Sequence, residues 1–218
     1  ASAYDRNTAY ATFDGHRNDD MAVYVYKTTD LGKTWTSLVT EAISGYALDI
    51  CEDPVNKNLL FLGTEFGLFV SLDAGVQWVK FKGNLPSVGI REIKIHPREG
   101  DVILASHGRG IYIIDDISPI RQLTPEKLAA DVALFENRPF NITIPQFGFG
   151  FAGDADFVGQ NPSESAYITY YLKKRHIFGD MKVEIIGPDG ELVKSLAGGK
   201  RKGINRVEWA MRLDPPRV

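Results

Sequence analysis

The sequence predicts an all-β chain in two parts: a partial β-propeller of just under three four-stranded blades, followed by a small β-sandwich. Three observations predict it. Asp30, Gly32 and Trp35 in "TTDLGKTW" recur as Asp73, Gly75 and Trp78 in "SLDAGVQW", an offset of 43 residues. A second landmark keeps that offset, since "DPVNKNLLFLGT" begins at Asp53 and "HPREGDVILAS" at His96. Each period divides into short β-prone runs separated by turn residues, and four strands per ~40–45 residues is the pattern of a propeller blade. No 3.6-residue apolar periodicity is sustained over residues 1–120, which argues against a helical solenoid.

Taken in order, "YDRNTAYAT" near the start resembles the two later landmarks, and "ASAYDRN" reads as the tail of an innermost strand. Residues 46–51 and 58–63 are β-prone, with "EDPVNKN" as the hairpin between them. Residues 67–71 follow "TEFG", and 76–81 follow the second Asp-containing turn. A third copy of that turn falls at Asp116 in "IIDDIS", where the Gly and Trp are missing and the array decays or ends. Closed propellers have about 4 to 8 blades, and an open stack exposes a strand edge and an apolar face. Residues 1–123 are therefore expected to be the C-terminal blades of a longer protein, or to pair with another chain. The remaining blades are the expected partner.

Residues 124–165 form the second segment. In "LTPEKLAADVAL", Thr124 suits an N-cap and Pro125 the first helical position, so a short helix is predicted. Residues 136–165 are rich in Pro, Gly and Phe and read as an irregular linker that packs its aromatics on a domain surface. Asn141 opens a formal glycosylation sequon. From residue 166 to 218 the runs "AYITYYL", "MKVEIIG", "ELVKSLA" and "INRVEWAM" alternate as strands, with "GPDG" as a turn in which Pro sets φ and Gly accepts a positive one. Strands at this spacing suggest a sandwich, and the final "DPPRV" cannot continue a central strand.

Composition narrows the partners. At 218 residues the chain can bury one large or two modest cores. A net charge of -3, with no Lys/Arg stripe beyond "GKRKG", argues against nucleic acid and anionic membranes. No apolar run approaches the roughly 20 residues of a membrane-spanning helix, and no signal peptide opens the sequence. Cys51 is the single cysteine, so neither an internal disulfide nor a Cys-based metal site is available. His96 and His176 lack metal-like spacing, and "GFGFAG" precedes no periodic helix that would make it a nucleotide loop. No cofactor is expected.

The repeated turns have a structural explanation. An Asp carboxylate can accept hydrogen bonds from N–H groups of its own turn. Gly32 and Gly75 supply a positive φ at low steric cost. Trp35 and Trp78 leave the turn on an outer strand, where an indole can pack on the neighbouring blade. Thr28 and Ser71 add a hydroxyl to each network. These residues match S/T-x-D-x-G-x-x-W, and the chain here resembles the Asp-box of the bacterial neuraminidase (BNR) repeat, found in sialidases and sortilin-type propellers. Across residues 1–123 it looks like the last blades of bacterial BNR-repeat or sortilin-like glycosyl hydrolases. The resemblance implies that the Asp-boxes lie on the outer rim, away from the ligand face, and that the protein is secreted or periplasmic. The second half resembles an Ig-like domain of flagellar hook-capping type, on the hairpin "VEIIGPDGELV" and the closing Gly203, Asn205, Val207 and Trp209.

The ligand face is then built from "DGHRNDD", "EAISG", "TEFG", "GNLPSVG" and "SHGRG". Their polar residues are Asp14, His16, Arg17, Asp19, Asp20, Glu41, Glu65, His107 and Arg109. A glycosidase needs two carboxyl groups roughly 5 to 9.5 Å apart across the scissile bond. Glu65 is the candidate acid and Asp14 the base or nucleophile, coming from equivalent loops of adjacent blades; the competing reading is that each satisfies its own loop's N–H groups. A sialidase-like site uses three arginines on a carboxylate. Only Arg17 and Arg109 lie on these loops, and the family's Arg-Ile-Pro motif is absent. Gly108 and Gly110 permit a tight hairpin offering His107 and Arg109, the latter as a clamp on an anionic ligand or as a partner of Asp115 or Asp116. With His16 and Arg17, these are the ligand-binding candidates. Two functions follow: binding of a glycan or peptide on the face opposite the Asp-boxes, or glycoside hydrolysis by the paired carboxylates on that face. Convergence of Asp14 and Glu65 on an open cleft near Arg109 would favour hydrolysis, and carboxylates held by their own loops would favour binding.

Overall fold

The computed structural model describes residues 1–140, 163 and 165–212, and the chain is β almost throughout. Most of the expected linker, with Asn141, and the closing "DPPRV" lie outside the described residues. Among the described residues no helix is long and apolar enough to cross a membrane. The chain divides into two compact units, Ala1–Leu123 and Thr124–Val218.

The first unit holds three antiparallel sheets. Strands β1 (Ala9–Gly15), β2 (Asp20–Thr28) and β3 (Thr36–Ser37) form the first. The second is four-stranded, in the order β4 (Ala47–Glu52), β5 (Leu60–Thr64), β6 (Gly67–Ser71), β7 (Val79–Lys80). Strands β8 (Ile90–Ile95), β9 (Val102–Ser106) and β10 (Ile111–Ile114) make the third. The middle sheet explains the apolar run "LLFL". Successive side chains of a strand point to opposite faces, so a strand covered on both faces loses its polar alternation. Leu60 and Leu62 join Val25, Phe69 and Trp78 in one buried cluster. Leu59 and Phe61 turn the other way and join Ile90, Ile93, Val102 and Leu104. The third sheet is covered on one face only: Tyr112 and Ile114 pack inward, whereas Ile111 and Ile113 are 69% and 57% exposed.

Polar contacts set the sheets against each other. Thr12 Oγ1 donates to Leu48 O (3.1 Å), and Asp49 Oδ2 accepts from Ile93 N (2.7 Å), so β4 is tied to β1 on one side and to β8 on the other. The turns repeat with the sequence: Leu31 N donates to Asn7 O, Ala74 N to Asn58 O and Ile117 N to Gly100 O. The short helix α1 (Ser118–Arg121) ends on Arg121, whose guanidinium grips the wholly buried Asp53 carboxylate through three contacts of 2.7 to 3.1 Å.

The two tryptophans of the repeat differ. Trp78 is 3% exposed and its Nε1 donates to Leu38 O of the preceding sheet's edge (3.0 Å). Trp35, expected to pack on a neighbouring blade, is instead 45% exposed, and its Nε1 donates to Gly32 O within its own turn (3.1 Å). No described sheet lies where Leu38 lies for Trp78, so the indole folds back on its own turn.

In the second unit, Thr124 Oγ1 accepts from Lys127 N (3.3 Å) and caps α2 (Pro125–Ala129). The helix is short, ending at Ala129. Ala130 takes an extended backbone, and β11 (Val132–Leu134) pairs with β12 (Ala166–Leu172), which pairs with β15 (Gly203–Trp209). Strand pairing outweighs helix propensity at this end. A hairpin of β13 (Lys182–Ile186) and β14 (Leu192–Ala197) supplies Val183 and Leu196 against a core of Tyr170, Leu172 and Val207.

Candidate functional site

Strand β5 turns into β6 through Glu65 and Phe66 alone, since Thr64 still pairs with Gly67. Thr64 Oγ1 accepts from Phe66 N (3.2 Å) and donates to Gly67 O (3.3 Å), a bond pair that holds the tip and leaves Phe66 45% exposed. Between β1 and β2, a single 3-10 turn spans His16–Asn18. Asp14 Oδ1 accepts from His16 N (3.0 Å) and from the ring Nδ1 (2.5 Å). The His16 ring also lies flat on Tyr46, with centroids 4.6 Å apart and planes 9° from parallel. From the third sheet, Arg91 Nε donates to His107 Nδ1 (2.9 Å) and His107 N to Gly89 O (2.8 Å).

These groups line one open cleft of about 490 Å³ on the first unit, with His16, Tyr46, Glu65, Phe66, Arg91 and His107 as its chemically distinctive walls. That volume lies within the roughly 300–1,000 Å³ range of small-ligand sites. Burial pulls the Asp14 carboxyl upward, but the hydrogen bonds from the His16 ring and backbone prevail and hold it below the usual carboxylate range. Burial pushes the Cys51 thiol up to about 11, which favours its protonated form, and Cys51 is not among the residues lining the cleft.

Of the residues singled out from sequence, His16, Glu65 and His107 line the cleft. Asp14 stands behind His16 and is engaged by its own loop. Arg17 and Arg109 are exposed and are not among the lining residues. The guanidinium in the cleft belongs to Arg91, which the loop-by-loop reading missed. In the β8–β9 pairing, Ile90 faces Ser106 and Glu92 faces Ala105, leaving Arg91 as the extra residue of a bulge. One period earlier Leu48 is the extra residue of β4, and it too lines the cleft. Bulges re-aim a side chain, so strict alternation misplaces both. Tyr46 and Phe66 were also missed, although an aromatic at the tip of "TEFG" was a visible signal.

The repeated Asp turns sit at the other end of the strands, since Asp73 follows β6 whereas Glu65 and Phe66 precede it. Asp30 Oδ1 accepts from Thr28 Oγ1 (2.8 Å) and Thr34 N (2.9 Å), and Oδ2 from Thr34 Oγ1 (2.6 Å). The Thr34 hydroxyl and backbone N–H, with the Thr28 hydroxyl, bring the Asp30 carboxyl down to about 2. Asp73 Oδ1 accepts from Ser71 Oγ (2.8 Å) and Gln77 N (2.9 Å). Gly32 and Gly75 close these turns at φ +84° and +95°. Neither carboxylate lines the cleft.

No family model matches this sequence, and no curated protein matches it. Among solved structures, the chain is similar to one described as the crystal structure of an ancestral GH74 enzyme, at 23% sequence identity and a TM-score of 0.42, over 50% of this chain and 13% of that one.

Proposed function

We propose that the first unit is a ligand-binding piece of an Asp-box propeller of BNR or sortilin-like type, and that it holds a glycan in the cleft walled by Tyr46, Glu65, Phe66 and Arg91. One observation carries the reading: a cleft of ligand size combines exposed ring surface with a few converging polar groups. That mixture of apolar lining and placed polar atoms suits a small, hydroxyl-rich ligand. Phe66 and the stacked His16–Tyr46 pair offer ring faces to the C–H side of a sugar. Binding is favoured over hydrolysis because Asp14, the second carboxylate a glycosidase would require, is taken up by His16. Further blades on the outer faces of the first and third sheets belong to the same proposal. Its support is that Trp78 is covered by Leu38 while Trp35, Ile111 and Ile113 are open. A secreted or periplasmic setting rests on the family resemblance alone.

The test is a glycan array probed with the 218-residue chain, run beside a panel of chromogenic glycosides. Binding without chromophore release, lost in Phe66→Ala, is the expected result. Release that disappears in Glu65→Gln would replace binding by hydrolysis, and retention of a peptide pool with no glycan bound would replace the glycan by a peptide.

A further inference from the structure

The two imidazoles of the cleft make opposite kinds of hydrogen bond through Nδ1. Asp14 is a carboxylate and can only accept, so the Nδ1 of His16 bonded to it at 2.5 Å carries the proton. In the neutral ring this leaves the Nε2 of His16 as a lone-pair acceptor. His107 is the reverse. Arginine can only donate, so the His107 Nδ1 that receives Arg91 Nε at 2.9 Å has no proton, and Nε2 carries an N–H. Both rings line the same cleft, one offering an acceptor and the other a donor. The His16 ring is held by its stack on Tyr46, and the His107 ring by Arg91, with its backbone anchored through the His107 N–H to Gly89 O.

Charge decides which ligand this pair suits. With both imidazoles neutral, the formal charges on the lining side chains are Glu65 and Arg91, which cancel, and Asp14 behind His16 adds a negative one. Arg91 also spends its Nε on His107. An anionic ligand gains no net attraction here, whereas a hydroxyl, which both donates and accepts, can use either ring. We infer that the cleft selects a neutral saccharide, His16 Nε2 accepting from one of its hydroxyls and His107 Nε2–H donating to another, with Asp14 and Arg91 as the positioning residues that set the two tautomers. This inference rests on the glycan-binding reading and goes further by naming the charge class and the two recognising atoms.

The experiment has two arms on the 218-residue chain, which contains four histidines. Long-range proton–nitrogen NMR of the imidazoles, assigned with His16→Phe and His107→Phe, reads each tautomer without any ligand. The expected result is the Nδ1–H form for His16 and the Nε2–H form for His107; either ring in the opposite form overturns the inference and leaves the glycan reading standing. In the second arm, malto-, xylo- and manno-tetraose are titrated beside tri-galacturonate and an unrelated pentapeptide. At least one neutral tetrasaccharide is expected to bind, tri-galacturonate no tighter, and each His→Phe variant about tenfold weaker, the scale of one lost hydrogen bond. Saccharide binding undiminished in both variants overturns the inference alone, and so does a preference for tri-galacturonate. Binding of no saccharide, or of the pentapeptide alone, overturns the glycan reading and the inference with it.

Discussion

Gly63→Ala is the sharpest perturbation of the first unit, because the nearest obstacle is main chain. Gly63 lies in β5, paired with Asp49 and with Leu68. A Cβ at this position would stand 2.5 Å from Ile90 O and 3.1 Å from Ile90 Cβ and Cγ2. Ordinary carbon–oxygen contact lies roughly 1 Å farther out, and Ile90 is fully buried and bonded into β9. No rotamer change relieves the clash, so β5 and β8 must separate as bodies. Overpacking of this kind costs about 1–3 kcal/mol, and a backbone obstacle places this case near about 3 kcal/mol. With a urea slope of about 2 kcal/mol per molar, the unfolding midpoint of Gly63→Ala falls by about 1.5 M at unchanged slope. Because β5 leads into Glu65 and Phe66 while β8 carries Arg91, the same displacement widens the cleft, and the proposed saccharide binding weakens with stability. A midpoint within about 0.2 M of the parent protein, about 0.4 kcal/mol at that slope, would refute the claim that the two sheets touch through this glycine.

Three other outcomes are expected. Gly89→Ala adds a Cβ at ordinary contact distance, 3.5 Å from Glu65 O and 3.6 Å from His107 Cβ; urea stability stays within about 0.5 kcal/mol, while titration with the array-identified saccharide weakens because a methyl group stands in the cleft wall. Arg121→Met strands the Asp53 carboxylate, which is 0% exposed, with the Asn56 N–H as its other partner; the loss is about 3 kcal/mol or more, and Asp53→Asn/Arg121→Met recovers much of it in the same urea assay, since no buried charge remains. Asp30 has its folded pKa depressed to about 2, below the ordinary ~3.9 of an unfolded aspartate, so its contribution is complete above about pH 4 and lost as pH falls through about 2. The stability gap between the parent protein and Asp30→Asn should therefore be constant from pH 7 to 5 and close toward pH 2; a gap that persists at pH 2 refutes the assignment.

What could be read from sequence was whatever is decided locally or by a full period. The Asp30 and Asp73 turns close on hydrogen bonds within four residues, so eight letters of sequence contain the whole network. The run "LLFL" was read as β-prone and runs into strand β5, but its burial on both faces was not read from it and depends on the sheets that cover it. What depends on a partner far along the chain was hidden. Trp35 and Trp78 occupy the same motif, yet one is exposed and the other buried, since only Trp78 meets a Leu38. "ADVAL" carried helix-compatible residues, and only the presence of β12 makes it a strand. Arg91 was missed for a third reason: a bulge is a register error relative to strict alternation, and nothing in "IREIKI" marks which residue is the extra one.

The cleft arises where the repeat stops being a repeat. The bonds made by the backbone N–H groups of residues 31, 74 and 117 recur at each period with different side chains, so the main chain rather than a particular side chain specifies the scaffold. At the opposite strand ends the backbone recurs but the chemistry does not: the bulged position is Leu48 in one sheet and Arg91 in the next, and Glu65 at a hairpin tip is followed one period later by Gly108. Identical residues at these positions would present the same group from every sheet, with like charges facing each other around one opening. Alternating them sets an apolar side chain beside a guanidinium, and a carboxylate beside an imidazole, within a single cavity. A periodic backbone with aperiodic strand ends can therefore build a site of mixed polarity from sheets that fold by one rule. It follows that exchanging Leu48 and Arg91 should preserve the turn bonds and the bulges while abolishing the proposed saccharide recognition. In a Leu48→Arg/Arg91→Leu variant the pairing of the sheets is retained, but His107 loses its donor at Nδ1 and is released to either tautomer. Retained saccharide affinity in that folded variant would show that recognition does not depend on which sheet carries the guanidinium.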